Sequence, residues 1–172
     1  MTYNVGVIGL GAMGSGMARS LRRHGHSVHV FDVRAEAAQA FAAEGGVACD
    51  SLAKLGALCE VIVSVVVNAA QTESVLFDEG GCVGSMRPGS TFVMCSTVDP
   101  NWSIALEARL AALDILYIDA PISGGAAKAA SGEMTMMTAA MPEAYAAVGP
   151  LLDAMAAKVY RLGNLFFVNF LE

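Results

Sequence analysis

The chain has 172 residues, enough for one domain or for one domain and the start of another. Its formal charge of −6 argues against nucleic acid and acidic membrane as partners, and no apolar run reaches the roughly 18 residues that a membrane span needs. A hydrophobic fraction of 55% supplies ample core and leaves apolar surface for a partner or a further segment to cover.

The opening MTYNVGVIGLG lacks a basic region and enters a strand at once, so it does not read as a secretory signal. Tyr3 to Ile8 is that strand, Ala12 to His24 a helix, and Ser27 to Val33 a strand carrying an acid near its end. Ala35 to Glu44 is an alanine-rich helix closed by Gly45-Gly46, and Val47 to Cys49 is a short strand. Ser51 caps a helical turn. Glu60 to Val67 is an almost unbroken apolar run, as expected of a strand buried on both faces of a parallel sheet. A helix over Ala69 to Phe77, a Gly/Pro-punctuated stretch, a strand over Thr91 to Cys95, a helix from Asp99-Pro100 to about Leu113 and a strand over Ile115 to Asp119 follow. This alternation predicts an α/β fold: a Rossmann-type doubly wound, mostly parallel sheet with helices on both faces. After Asp119 the pattern changes. Ala120 to Gly125 reads as a turn of small residues, Ala126 to Ala130 as a helical turn and Glu133 to Ala139 as a strand. Pro142 to Ala156 reads as a helix and Lys158 to Leu162 as a last strand; both strands could extend the same sheet.

The turn Gly9-Leu10-Gly11-Ala12-Met13-Gly14 joins the first strand to the first helix. That context raises an otherwise weak G-x-G-x-x-G pattern to a dinucleotide site. Gly9 permits the tight turn, Gly11 lets a pyrophosphate approach the backbone, and Gly14 lets helix and strand pack closely. The helix N-terminus offers free N–H groups and a positive dipole end to the phosphates. Asp32, 18 residues after Gly14, can accept hydrogen bonds from the adenosine ribose and would repel a 2′-phosphate, favouring NAD over NADP. Arg34 pulls the other way, since a nearby Arg stabilises a 2′-phosphate.

Ligands of open α/β sheets sit outside the carboxyl ends of the strands. Val66, Val67 and Thr97 stand there and could meet the adenine or nicotinamide side, although read alone core valines and a capping hydroxyl are the simpler account. Ser123-Gly124-Gly125 after the sixth strand could present N–H groups and a hydroxyl to a carboxylate, or could be a packing turn; Lys128 reads as a surface lysine. His24, His26 and His29 lie at the opposite end of the sheet and do not share a helix face, which speaks against a metal site. Cys49, Cys59, Cys82 and Cys95 lack metal-type spacing and read as reduced core thiols of a cytoplasmic protein; the methionines read as core filler.

GLGAMGSGMA, STVDP and DAPISGGAAKAASGEMTMMTA together resemble the three N-terminal signatures of the β-hydroxyacid dehydrogenases, the 3-hydroxyisobutyrate dehydrogenase family. VVVNAAQTE and VMCSTVDPNW bring the likeness closest to the L-threonate dehydrogenases. The resemblance spans about residues 3 to 163 and implies NAD-dependent oxidation of a small hydroxycarboxylic acid, at a hydroxyl β to the carboxylate or at the α-hydroxyl in the threonate branch. It assigns Gly9, Gly11, Gly14 and Asp32 to the cofactor. It places Val66, Val67, Thr97 and Gln71 towards the nicotinamide, and Ser123, Gly124 and Gly125 at the substrate carboxylate. Family members follow the last strand with a G-x-G turn and a long helix bearing a catalytic lysine, the acid–base for the hydroxyl proton. Here no lysine follows Lys158, and Lys158 stands at the start of the last strand rather than after it, so no catalytic residue is assigned.

The expected organisation is an NAD-binding domain over residues 1–163 and a non-family tail over residues 164–172, in place of the family's helical C-terminal domain. That tail reads as the product of truncation or a frame shift, with Leu171-Glu172 as vector sequence. The family is homo-oligomeric, and exposed apolar surface would favour self-association of this chain. The expected function is NAD binding with little turnover; the alternative is a non-catalytic NAD-binding or interaction module.

Overall fold

Phe31, Ile8, Ser64, Met94 and Asp119 lie side by side on one rung of a parallel sheet. They end β2 (Ser27–Phe31), β1 (Asn4–Ile8), β4 (Val61–Ser64), β5 (Thr91–Met94) and β6 (Leu116–Asp119). Hydrogen bonds from Gly9, Val65, Cys95 and Ala120 N–H to the neighbouring strand carry the ladder one step further. This computed structural model describes residues 1–164; the tail expected at residues 164–172 lies, apart from Asn164, outside the described residues.

The strand order is β3-β2-β1-β4-β5-β6, with β3 at Val47–Ala48. The chain works outward from β1 to β3, then crosses over β1 to β4, so the direction of winding reverses between β1 and β4. That reversal opens a crevice at the carboxyl ends of these two strands. Side chains alternate between two cores. Val5, Val7, Val61, Val63 and Val93 pack with α1 (Ala12–Arg23) and α2 (Ala35–Ala43) on one face. Ile62, Phe92, Met94 and Tyr117 pack with α3 (Leu52–Leu58), α4 (Ala69–Phe77) and α5 (Pro100–Ala111) on the other. Double-sided burial is why these strands read as apolar runs rather than alternating ones.

The expected turn at Ala120 to Gly125 is in part a strand: β7 (Ile122–Ser123) pairs antiparallel with β8 (Met134–Ala140). β6 pairs with the same strand at Ala139 and Ala140 in the same register, and Met137 N–H bonds Pro121 O between the two. β6 and β7 are thus one antiparallel strand interrupted at Ala120-Pro121, where proline cannot donate to the ladder. α6 (Gly125–Ser131) is longer than the single turn expected. α7 (Pro142–Met155) and β9 (Ala156–Arg161) complete the described chain, with β9 parallel to β8.

The other differences are at element ends. β4 stops at Ser64, because after the Val65 bond to Ile8 the chain leaves the ladder towards the capping residue Asn68. β2 stops at Phe31, so Asp32 stands just beyond the strand. Ser51 caps α3 as expected, accepting from Lys54 N–H.

Candidate functional site

Gly9 has φ +90°, and a Cβ there would meet Val65 O at 2.5 Å; a Cβ on Gly14 would lie 1.9 Å from Gly9 O. Both glycines are demanded by the protein's own packing. Gly11 is not: it is the N-cap of α1 in an extended conformation, and a Cβ there meets nothing within 4 Å. No side chain caps the helix, so its first N–H groups are open to a ligand along its positive end. Ala12 is exposed and Met13 half-buried at this end. Leu10 differs from the expectation of a contact residue: its side chain is buried in the core and its N–H is engaged by Asp32.

Asp32 is anchored before any ligand arrives. Leu10 N–H donates to Oδ2 at 2.7 Å, Arg34 N–H to Oδ1 at 2.8 Å, and the Arg34 guanidinium to Oδ1 at 3.2 Å. Burial works to raise its pKa; the bonds from Leu10 and Arg34 outweigh it and hold the carboxyl below its ordinary value. The Asp32 side chain is only 7% exposed, while that of Arg34 is 64% exposed. Arg34 is therefore held on Asp32 through Nε, and its Nη2 donates to Leu10 O at 3.5 Å while most of the side chain stays exposed.

Across the crevice, the loop after β4 is clamped from two sides. Gln71 Oε1 accepts from Val67 N–H at 2.8 Å, and Ser96 Oγ donates to Val66 O at 2.6 Å. Val66, Val67 and Gln71 line one cleft of about 330 Å³ with Gly9, Gly11 and Asp32. The structure thus gathers these valines with the acid of β2's end, on the side expected for adenosine. Val33, Val65 and Val75 also line this cleft, and the sequence reading does not single them out. Val33 carries a readable signal: an apolar residue directly after a strand-ending acid, here 91% exposed.

Thr97 is exposed beyond β5 and Ser123, Gly124 and Gly125 are exposed beyond β6; none lines this cleft. Gly124 and Gly125 have φ +137° and +76°, so the turn itself requires glycine. A Cβ on Gly16 would fall 2.6 Å from Ala130 N, and one on Gly132 would fall 2.8 Å from Ser20 Oγ. α6 therefore runs alongside α1 in the same direction, which brings the two helix N-termini to the same end of the fold. Lys128 is exposed.

All four cysteines are buried and free. Burial pushes the thiols of Cys59, Cys82 and Cys95 up to about 12, so they are inert as nucleophiles. His26 Nδ1 accepts from Tyr3 N–H, which gives this histidine a structural partner at the amino ends of the strands. Among the described residues no three His, Cys, Asp or Glu side chains gather as a metal site, and no helix is long and apolar enough to cross a membrane.

Comparison with known proteins bears on this geometry. Residues 4–163 match the NAD binding domain of 6-phosphogluconate dehydrogenase. The chain is 54% identical over 163 residues to an L-threonate dehydrogenase of Cupriavidus necator, covering 95% of this chain and 55% of that protein. It is 39% identical to the L-threonate dehydrogenase of Escherichia coli, covering 94% and 54%. The chain thus spans about half the length of these relatives. A crystal structure of 3-hydroxyisobutyrate dehydrogenase from Salmonella typhimurium superposes with a TM-score of 0.90 at 41% identity, over 94% of this chain and 56% of that one. The glycine turn, the strand order and the match over nearly the whole chain make it a member of the NAD-binding domain family of 6-phosphogluconate and 3-hydroxyisobutyrate dehydrogenases.

Proposed function

We propose that this chain is the cofactor-binding part of an NAD-dependent hydroxyacid dehydrogenase acting on a small hydroxycarboxylic acid of the threonate type. The observation that carries the reading is Gly11: the protein's own packing leaves room for a side chain there, and a pyrophosphate lying across the α1 N-terminus would not. Gly11, Ala12 and Met13 would hold the pyrophosphate through backbone N–H groups. Asp32 would accept from the adenosine ribose. Val33 and Val67, 91% and 79% exposed in one cleft, offer two apolar faces for an adenine ring. The cofactor supplies the hydride acceptor when bound. Thr97 would meet its nicotinamide end, and Ser123, Gly124 and Gly125 the substrate carboxylate. The two L-threonate dehydrogenases named above support the substrate class.

The hydroxyl proton needs an acceptor as well. General acid–base catalysis is worth about 10²–10⁴-fold. No lysine follows Lys158 in these 172 residues, so these residues on their own would bind NAD with little turnover. Exposed Met137, Met141, Tyr160 and Leu162 on and beside β8 and β9 favour self-association of this polypeptide. The buried free thiols favour a reducing compartment, the cytoplasm.

Titration calorimetry with NAD, followed by assays with L-threonate and 3-hydroxyisobutyrate, tests the reading. Saturable NAD binding with turnover far below ordinary enzyme rates is expected. No heat of binding at millimolar NAD would overturn the cofactor reading, and steady turnover at ordinary rates would overturn the need for the lysine.

A further inference from the structure

Beneath the loops that leave β5 and β6 lies a buried hydroxyl chain that ends on an acid. Ser103 Oγ of α5 is 2.8 Å from Asp119 Oδ2 and 2.8 Å from Tyr117 Oη, and Tyr117 Oη is 3.5 Å from Met94 Sδ. Ser103, Tyr117 and Met94 are all buried. The other carboxyl oxygen, Asp119 Oδ1, is buried without a hydrogen-bond partner. Among the described residues no ion pair reaches Asp119.

The chain can point in two directions. With Asp119 ionised, Tyr117 donates to Ser103 and Ser103 to Asp119. Met94 Sδ then has no donor, and a half-charged Oδ1 is left unpaired in the interior, a costly arrangement. With Asp119 protonated on Oδ2, Asp119 donates to Ser103, Ser103 to Tyr117, and Tyr117 to Met94 Sδ. Every hydroxyl proton then has an acceptor, and the orphan Oδ1 is only a neutral carbonyl oxygen. Glu107, one helical turn after Ser103, has its own buried and unpartnered Oε1, so a second negative charge lies close by and adds to the cost.

We propose that Asp119 is a protonated acid in the folded protein near neutral pH, and that release of its proton to solvent reverses the Ser103–Tyr117–Met94 chain and loosens α5 from β6. The groups that face it from the surrounding elements are Glu107 of α5, Cys95 just after β5, Tyr117 of β6 and Tyr145 of α7. Burial is the leading cause that raises all four, and a negative charge on Asp119, once its proton is released, would raise each of them further. Arg161 is stacked 4.9 Å from the Tyr145 ring and acts on that residue. Burial likewise raises Asp119, and the bond from Ser103 only partly opposes it. The folded value lies above the unfolded one. Stability associated with this group is therefore greatest at acid pH and falls as pH rises from about 4, the ordinary Asp value, through the folded value.

Infrared spectroscopy of the whole chain at about pH 7 reads the protonated carboxyl directly through its C=O stretch. The band is expected in the wild type, lost on raising the pH, absent in Asp119→Asn and retained in Glu107→Gln. Thermal unfolding should show Asp119→Asn level with the wild type near pH 4 and several degrees more stable by about pH 9, since the amide donates to Ser103 as the acid does. Absence of the band in the wild type overturns the proposal, as does its loss in Glu107→Gln. Should the asparagine variant not fold, the wild-type titration and the Glu107→Gln spectrum still decide.

Discussion

The Leu10 N–H donates to Asp32 Oδ2 at 2.7 Å, tying the glycine turn after β1 to the first residue beyond β2. The acid proposed to meet the cofactor ribose is thus the same acid that fixes the glycine turn. The Arg34 guanidinium, 3.2 Å from Oδ1, is held by the same carboxylate. Replacing Asp32 by Asn removes the charge that repels a 2′-phosphate and frees Arg34 to meet one. NAD affinity should fall by roughly 10- to 100-fold, the worth of one or two hydrogen bonds to a charged acceptor, while NADP affinity rises. Paired calorimetric titrations with the two cofactors measure the exchange; an unchanged ratio would move the ribose contact away from Asp32.

The same carboxylate gives an acid limit. Its folded pKa is depressed below the unfolded value, so its contribution to stability is fully present above about 4 and disappears as pH falls through the folded value. Urea unfolding of the wild type and Asp32→Asn should differ at about pH 6, and the difference should close on acidification towards about pH 2. This is the opposite trend to that expected at Asp119, and the two can be separated in one pH series.

Gly11 and Gly14 stand three residues apart and should respond oppositely. A Cβ on Gly11 enters open space, so Gly11→Val should leave the unfolding midpoint nearly unchanged and reduce NAD affinity about tenfold or more, at least about 1.4 kcal/mol. A Cβ on Gly14 would sit 1.9 Å from Gly9 O, a backbone atom that cannot swing away. Gly14→Ala should cost about 1–3 kcal/mol of stability or more, whether or not NAD is present. Denaturant curves with and without NAD distinguish the two.

These contrasts also show what can be read from the sequence. The six-residue spacing of Gly9, Gly11 and Gly14 between a strand and a helix is legible because each step is a backbone requirement local to the turn. The parallel sheet is legible because strands buried on both faces leave unbroken runs such as EVIVSVVV. The end of that run is not: Val66 and Val67 are as apolar as the strand, and the cap at Asn68, the bond from Ser96 to Val66 and the bond from Val67 to Gln71 pull them off the ladder. β7 is hidden for a similar reason. Two residues after a proline carry no periodicity, and their pairing depends on β8, a dozen residues downstream. Val33 is legible only in part: its place directly after Asp32 can be read, but its exposure cannot.

Gly16 offers a test of how the two glycine-bearing turns are held together. A Cβ there would lie 2.6 Å from Ala129 C and Ala130 N, the backbone of α6. The close approach of α1 and α6 therefore depends on this glycine. Arg23 adds a hydrogen bond to Ala130 O at 2.7 Å from the far end of α1. Gly16→Ala should push the helices apart and cost about 1–3 kcal/mol. Because α6 begins at Gly125, the strain should reach Ser123 to Lys128 and speed amide exchange there ahead of global unfolding. Gly25→Ala is the control: φ is +85° but a Cβ meets nothing within 4 Å, so it should cost about 1 kcal/mol and leave exchange at α6 untouched. Equal exchange at α6 in both variants would show that the turn at Ser123 holds its shape without α1, and that the helix contact serves stability alone.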